Sequence, residues 1–455
     1  MYLHNSGTNV FDRLRFFSKD RSRRILNIAL PSGLNSLLDI INLSIDLLMI
    51  GTFGANAIVA VGVSLNFIML MFAFIAIIFV GNSALVARFL GANDKRSADE
   101  VVLSLTFASF CFSIPLMLLG FFGYEFFFSW IGISSEAHSI GSAYLAIVLF
   151  SVPLLLIRQV SISAFSAAGA TKFPFYIKII ITLINPFVKY ILIFGFIFIP
   201  AFGVIGAAIG TLIINFLETS ALFLLLLIYK NSPISLKGRI NLDYIKRAFI
   251  IGIPSGCERL FTLFAIIIMT KFVALYGTYD LAGYQIATRI EGFAFMPGFG
   301  FMIAAMALMG QNLGAKKPLE AKYSTLNTLL LGGIFMSIVG FFMSVFAPFW
   351  SGFFSEDSAT IRASTIYLIP IGISQVAFAF ICILDGALRG AGITKITLVI
   401  NSVMIWGLRV LPCYLIATMG YPVFYIYICI CLETFLRAFV YWKIFQSGIW
   451  RKQKV

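Results

Sequence analysis

Charge is what this chain most lacks. Of its 455 residues 11% are charged and 60% hydrophobic, with a mean hydropathy of +0.99, whereas soluble globular chains have about 25% charged residues. Water is therefore not its main solvent. Acidic residues are the scarcer sign: 19 Asp and Glu stand against 33 Lys and Arg, for a net charge of +14. In a soluble protein that excess would suggest a nucleic-acid partner. Here the basic residues collect in short loops between apolar runs, where anionic lipid headgroups attract them, so no nucleic-acid partner is expected. The only histidines, His4 and His138, are remote from any acidic cluster, and no loop exceeds about twenty residues. A membrane-embedded enzyme would need a water-facing catalytic loop with acids or histidines, so neither an enzyme nor a cofactor is expected. A phosphate-cradling GxxxxGK loop is missing too, so nothing in the sequence points to ATP hydrolysis as the energy source. The six cysteines (Cys111, Cys257, Cys382, Cys413, Cys429 and Cys431) fall inside apolar runs without metal-ligand or disulfide-framework spacing. The segment from Met1 to Arg24 lacks the apolar core and small-residue cleavage site of a signal peptide, so the first span itself is expected to act as the targeting signal.

Long apolar runs are what the chain does have. A helix needs roughly 20 residues to cross a bilayer core of about 30 Å, and the sequence divides into twelve such runs. Spans one to six are expected near Ile25 to Ile50, Ala57 to Leu90, Val101 to Phe122, Ile140 to Phe165, Phe173 to Ile199 and Val204 to Tyr229. Spans seven to twelve follow near Ala248 to Tyr276, Leu281 to Met309, Ser324 to Trp350, Ile361 to Leu388, Ile396 to Thr418 and Val423 to Phe445. This predicts an all-α membrane protein with an arm over 1–24, a lobe over 25–229, a linker over 230–247, a second lobe over 248–445 and a tail over 446–455. Alternate loops separate by charge. The arm, "GANDKRSADE", the linker, "GAKKPLEAKY" and "RKQKV" are basic, while "GTFGAN", "PAFG", "GTYD" and "MGYP" contain no Lys or Arg. By the positive-inside rule both termini are cytoplasmic, and a multi-pass plasma-membrane location is expected.

The two halves repeat. One constant offset lays Pro31-Ser32-Gly33 on Pro254-Ser255-Gly256, Leu90-Gly91-Ala92 on Leu313-Gly314-Ala315, and Ala168-Gly169 on Ala391-Gly392. Six spans per half put both halves the same way up, related by an axis along the membrane normal. Transporters of this kind bind substrate at the repeat interface near the midplane, and a repeat with buried titratable groups suits alternating access better than a continuous pore.

Over nearly its whole length the sequence resembles the multidrug and toxic compound extrusion (MATE) family. The resemblance is carried by "IDLLMIG" ending span one, "GNSALVARFLGAND" ending span two, "MPGFGFMIAAMALMGQNLGAKK" in span eight and "DGALRGAGITK" after span ten. It implies a secondary antiporter that expels amphiphilic, often cationic small molecules against an inward flow of protons or sodium ions, without hydrolysing ATP; a monomer is expected.

Charged side chains within spans cost about 2.5 to 3.5 kcal/mol each on insertion scales, so each needs a partner, water or a function. In span one Asn35, Asp39, Asn42 and Asp46 follow i, i+4, i+7, i+11 and share one narrow face. Two carboxylates and two amides there suit a hard cation, such as sodium at Asp39 and Asp46, or a shared proton; the bland alternative is a polar seam between packed helices. The resemblance identifies Asp46 with the acid the family uses for ion coupling in its first lobe. In span five Lys178, Thr182, Asn185 and Lys189 form a second stripe. Where the family has "NPxxD", this chain reads "NPFVK", with Lys189 in place of the acid that helps to bind the cation. At 1.5 Å per residue Asp46 is expected about 6 Å, Lys189 about 15 Å and Asp39 about 17 Å below the outer helix ends, so Lys189 could reach either acid. The expected ion-coupling set is Asp46, Asp39, Lys189, Asn185 and Asn42, with a structural salt bridge as the alternative for Lys189.

In the second lobe Glu258 corresponds to Asn35 and Thr262 to Asp39. The family's glutamate is missing at Thr262, leaving its second-lobe cation site absent or altered. Span eight offers Tyr284, Thr288 and Glu291 on one face, with Gln285 and Arg289 beside it. Asn35, Glu258, Thr262, Tyr284, Gln285 and Glu291 are the candidate substrate contacts. Arg289 and Glu291 can offset one another, as can Glu433 and Arg437, and Asp385, Glu218 and Glu433 are expected to serve helix packing. A flippase for a lipid-linked precursor is the alternative transporter, which Lys189 and Arg158 keep open and the two acids of span one argue against.

Overall fold

The computed structural model describes residues 18–132, 134–196, 200–229 and 232–451. Outside them lie most of the basic arm with His4, Arg13 and Arg15, the linker residue Lys230 and the last four residues of the tail.

A chain this apolar has to satisfy its backbone hydrogen bonds internally when lipid surrounds it, and helices do so within one segment. The spans are Lys19–Gly51, Ala55–Gly91 and Lys95–Ile131, the pair Ser135–Leu149 and Val152–Ala167, Lys172–Phe194 and Gly203–Ile228. The second set is Leu242–Ala274, Thr278–Gly314 and Pro318–Val345, then Ser358–Gly390, Thr394–Thr418 and Val423–Gln446. Ten of these helices are individually long and apolar enough to cross a bilayer, and the bent pair makes an eleventh span. Leu242–Ala274, 33 residues with Glu258 and Arg259 near its middle, is the twelfth.

Three local features depart from the hydropathy reading. Span four is two helices meeting at 49° rather than one rod from Ile140 to Phe165; the break falls at Phe150 and Ser151, and Pro153 sits in the first turn of the second helix, where its missing N–H costs nothing. Span five stops at Phe194, five residues before the expected Ile199, because Gly195 at φ 83° closes it. Span eleven contains a π-helical stretch, Met404–Val410.

The repeat is visible in the backbone as well as in the sequence. Gly54 and Gly277, Asn93 and Lys316, and Gly169 and Gly392 are pairs related by the offset of the sequence repeat, and all six residues have positive φ. Spans one to six form one lobe and seven to twelve the other, and the lobes meet where span one packs on span eight and span two on span seven. That contact is itself duplicated. A Cβ at Gly300 would lie 2.2 Å from the Ala29 carbonyl oxygen, and one at the equivalent of Ala29, Gly252, would lie 2.1 Å from that of Ile77. Likewise Gly91 faces the Gln311 carbonyl and Gly314 that of Arg88. Only glycine permits such close approach.

The lobes touch tightly at the end that carries the start of span one. There Arg21 of the first lobe pairs with Glu320 of the second at 2.7 Å, Arg24 hydrogen-bonds Gln311, and the Gln311 amide donates to the Ala167 carbonyl. The linker is tied down beside it: Asp99 accepts from the Ser235 N–H and hydroxyl at 2.7 Å each, and Lys95 donates to the Ser232 carbonyl. Beyond this seal the lobes enclose a cavity.

Candidate functional site

The cavity has a volume of about 510 Å³ and draws its walls from spans one, two, four, five, six and eight. Most of the lining is apolar, with Met69, Phe79, Met296, Phe299 and Met302 among the larger side chains; its charged members are Asp39, Arg158 and Glu218. Such a volume falls in the range of pockets for drug-sized ligands.

The polar stripes of spans one and five lie face to face. Asp39 meets Lys178 at 2.5 Å and Asp46 meets Lys189 at 2.5 Å. Between the two ion pairs the Asn42 amide donates to the Thr182 hydroxyl at 3.0 Å, and the Asn185 amide donates to the Asn42 carbonyl oxygen at 3.2 Å. The spans run parallel, and the reach of the Lys178 side chain lets a stripe eleven residues long on span five meet Asp39, Asn42 and Asp46, which span seven residues of span one and leave Asn35 outside the pairing. Among the described residues Lys189 pairs with Asp46 alone, although the expected depths left Asp39 equally within reach. The early end of span five accounts for this: measured from Phe194, Lys189 lies five residues deep, as Asp46 does from Gly51, so the two sit at one level. Lys189 is 3% exposed and Asp46 18%. The stem of Lys189 packs on Gly210 of span six, where a Cβ would come within 2.7 Å of its Cγ.

From Lys178 the charges continue inward. Lys178 donates to Glu218 of span six at 3.2 Å, and Arg158 of span four meets the same carboxylate at 2.6 Å and the Asn215 carbonyl oxygen at 3.3 Å. Lys178 and Glu218 are 4% and 3% exposed, Asp39 53%. Glu218, expected to serve helix packing, lines the cavity and joins Lys178 to Arg158 in a four-membered sequence of alternating charge. Periodicity along span five picked out Lys178. Nothing in the sequence joined Arg158 or Glu218 to it, since those contacts cross three spans.

The second lobe holds a separate network. Arg389 reaches both oxygens of Glu258 at 2.8 and 2.9 Å, and the Asn401 amide donates to one of them at 2.7 Å. Arg389 also pairs with Asp385 at 2.7 Å, which accepts from the Tyr441 hydroxyl. Glu433 does meet Arg437 at 3.1 Å, but the pair is not self-contained, because Arg409 binds the same carboxylate at 2.6 Å. The i, i+4 spacing of Asp385 and Arg389 could have revealed that pair, whereas the contacts of Arg389 and Asn401 with Glu258 and of Arg409 with Glu433 join different spans and were not legible from spacing.

The expected substrate contacts disperse. Asn35 lines the cavity. Glu258 belongs to the arginine network, and the Thr262 hydroxyl donates to the Glu258 main chain. Tyr284 is buried among Tyr367 and Tyr427. Glu291 accepts from the Tyr367 hydroxyl at 2.6 Å rather than offsetting Arg289, and Gln285 and Arg289 are exposed. At Asp39 and Asp46, the acids expected to suit sodium, each carboxylate holds an ammonium.

The MatE family model matches residues 31–191 and 254–415, two stretches that begin at the equivalent prolines Pro31 and Pro254 of the repeat. An uncharacterized transporter, YisQ of Bacillus subtilis, is 25% identical over 415 residues, covering 89% of this chain and 90% of its own. The probable multidrug resistance proteins NorM of Thermotoga maritima and Oceanobacillus iheyensis are 23% and 26% identical, over 95% and 88% of this chain and 94% and 90% of theirs. A MOP superfamily transporter from Pyrococcus furiosus superposes with a TM-score of 0.88 at 18% identity, over 99% of this chain and all of that one. A multidrug resistance MATE family transporter solved in an outward-facing conformation gives 0.88 at 18% identity over 95% of this chain and 97% of that one. The twelve-span, two-lobed chain is thus a membrane transporter and not an enzyme, and it belongs to the MATE family.

Proposed function

We propose that this protein exports amphiphilic small molecules in exchange for protons, the two lobes opening the cavity alternately to either side of the membrane. The observation that carries this reading is the ion pair between Asp46 and Lys189, 2.5 Å apart and almost fully enclosed between spans one, five and six. An ammonium tethered to the helix stands where a mobile cation would bind, so the species left to come and go is the proton. A proton arriving on Asp46 neutralises the carboxylate and frees it from Lys189; its departure restores the pair. Because Asn42, Thr182 and Asn185 link this pair to Asp39 and Lys178, a change in how spans one and five fit together at Asp46 reaches the cavity wall. Transporter coupling of this kind needs one element with two arrangements that both ligands bias.

The seal at Arg21, Arg24, Gln311 and Glu320 is the contact that has to part when the cavity turns to the other side. With the basic loops inward that side is the cytoplasm, both termini lie there, and the protein works as a monomer in the plasma membrane, the inner membrane of a bacterium. The flippase alternative gains little: the exposed acid at the cavity wall is Asp39, and the NorM relatives are named as multidrug resistance proteins.

The test is uphill movement of a fluorescent, ammonium-bearing amphiphile in proteoliposomes under separately imposed proton and sodium gradients. The proton gradient alone should drive it, and Asp46→Asn should abolish the drive. Full proton-driven transport by Asp46→Asn would remove Asp46 from the mechanism.

A further inference from the structure

The cavity's charges balance, and this bears on what it carries. Asp39 and Glu218 supply two negative charges, and Lys178 and Arg158 supply two positive ones, all within a single sequence of contacts of 2.5 to 3.2 Å. A compound of net positive charge entering such a site leaves one charge without a counterpart in surroundings that are mostly apolar, which is costly. A compound carrying both signs leaves none.

The two ends of the sequence are also the parts with bonding capacity to spare. Asp39 is 53% exposed, and Lys178 engages its Oδ1. One turn away Asn35, on the same wall, has a buried carbonyl oxygen without a hydrogen-bond partner among the described residues. Arg158 spends Nη1 on Glu218 and Asn215, while its buried Nε has no acceptor among the described residues. The interior members, Lys178 and Glu218, are 4% and 3% exposed, and each is held from both sides. One end of the sequence is thus an acceptor and the other a planar donor, suited to a carboxylate, sulfonate or phosphate. Ile162, Met69 and Phe299 supply apolar wall for the rest of a ligand.

Resting on the reading of this cavity as the substrate chamber, we infer that the preferred substrates are zwitterionic amphiphiles, whose ammonium is held by Asp39 and Asn35 and whose anionic group is held by Arg158. A cation alone must compete with the Lys178 ammonium for Asp39. A zwitterion gains at Arg158 what it shares at Asp39.

Three probes built on one dansyl body test this, ending respectively in a trimethylammonium, a sulfonate and a sulfobetaine. Binding to the purified full chain is followed by dansyl fluorescence, and transport separately in proteoliposomes. The sulfobetaine should bind about tenfold more tightly than either singly charged probe, the scale of one added ionic contact, or about 1.4 kcal/mol. Asp39→Asn should erase its advantage over the sulfonate, and Arg158→Gln its advantage over the trimethylammonium. Since Arg158→Gln strands part of the charge on Glu218, the pair Arg158→Gln with Glu218→Gln, which keeps the charges balanced, is measured beside it and should give the same ranking. A wild type that prefers the trimethylammonium probe, binds none of the three, or keeps its ranking in these variants would overturn the inference. Dispersed phosphatidylethanolamine displaces the sulfobetaine if a lipid headgroup supplies the zwitterion and leaves it bound if a soluble compound does; either supports the headgroup chemistry. Binding in the expected order without transport would refute the export reading and leave this one standing.

Discussion

Removing the ammonium from the Asp46 pair separates a coupling role from a merely structural one. In Lys189→Met the stem that packs on Gly210 keeps its bulk, but the Asp46 carboxylate loses a partner at 2.5 Å while only 18% exposed. Breaking a buried pair from one side costs about 3 to 5 kcal/mol. The protein can limit that loss by protonating the acid: for a carboxyl of ordinary acidity this costs about 4 kcal/mol at pH 7, falling by about 1.4 kcal/mol for each unit of acidification. The single variant should therefore be markedly less heat-stable than wild type at pH 7 and recover most of the difference by pH 5. The double variant Asp46→Asn, Lys189→Met leaves no charge to strand, and its melting temperature should be close to that of wild type at both pH values. Transport tells the roles apart. If the pair couples ions, the double variant is stable and does not pump. Melting temperatures in detergent from pH 5 to 8, alongside uptake into proteoliposomes, supply both readings. A stable double variant that pumps at the wild-type rate would make the pair structural, and a Lys189→Met penalty independent of pH would refute the electrostatic argument itself.

Other expectations follow from particular contacts. Gly300→Val places a Cβ 2.2 Å from the Ala29 carbonyl oxygen and should force the seal apart; disulfide formation between R21C and E320C in a cysteine-free background should fall sharply, and unchanged cross-linking would contradict the packing. Arg389→Gln leaves Glu258 and Asp385 both short of a partner, and should lower stability by roughly 3 to 5 kcal/mol, largely restored when Glu258→Gln is added. At the start of span three the Asp94 side chain accepts from the Ser97 N–H at 3.0 Å, and hydrogen bonds from Ser97 hold its carboxyl below the usual range. Asp94→Ala should cost about 1 kcal/mol; as the carboxyl is depressed in the fold, that contribution is present above about pH 4 and fades as pH falls below it, and transport should be unaffected.

Hydropathy and the constant offset between the halves made the architecture legible, because lipid leaves an apolar chain few options and a repeat fixes how the halves relate. The bend at Phe150 and the π-helical stretch at Met404 were hidden, since both sit in runs as apolar as their neighbours. The stripes of spans one and five could be read because a helix puts i, i+4, i+7 and i+11 on one face. Their mutual register could not, because apolar residues after Phe194 made span five look five residues longer than it is, and that error moved Lys189 by more than a helical turn. The contacts of Arg158 with Glu218 and of Arg389 and Asn401 with Glu258 were illegible for another reason: each joins different spans, and the partner is chosen by how several helices pack rather than by any spacing along one.

The most direct test of the central claim, that a proton and not a metal cation moves through the Asp46 and Lys189 pair, is to count protons when substrate binds. Purified protein in weak buffer with a pH indicator should release up to one proton per bound substrate at the acidic end of the range between pH 5 and 8, with no dependence on sodium, and Asp46→Asn should bind substrate and release none. Saturating binding without proton release, or release that persists in Asp46→Asn, would contradict it.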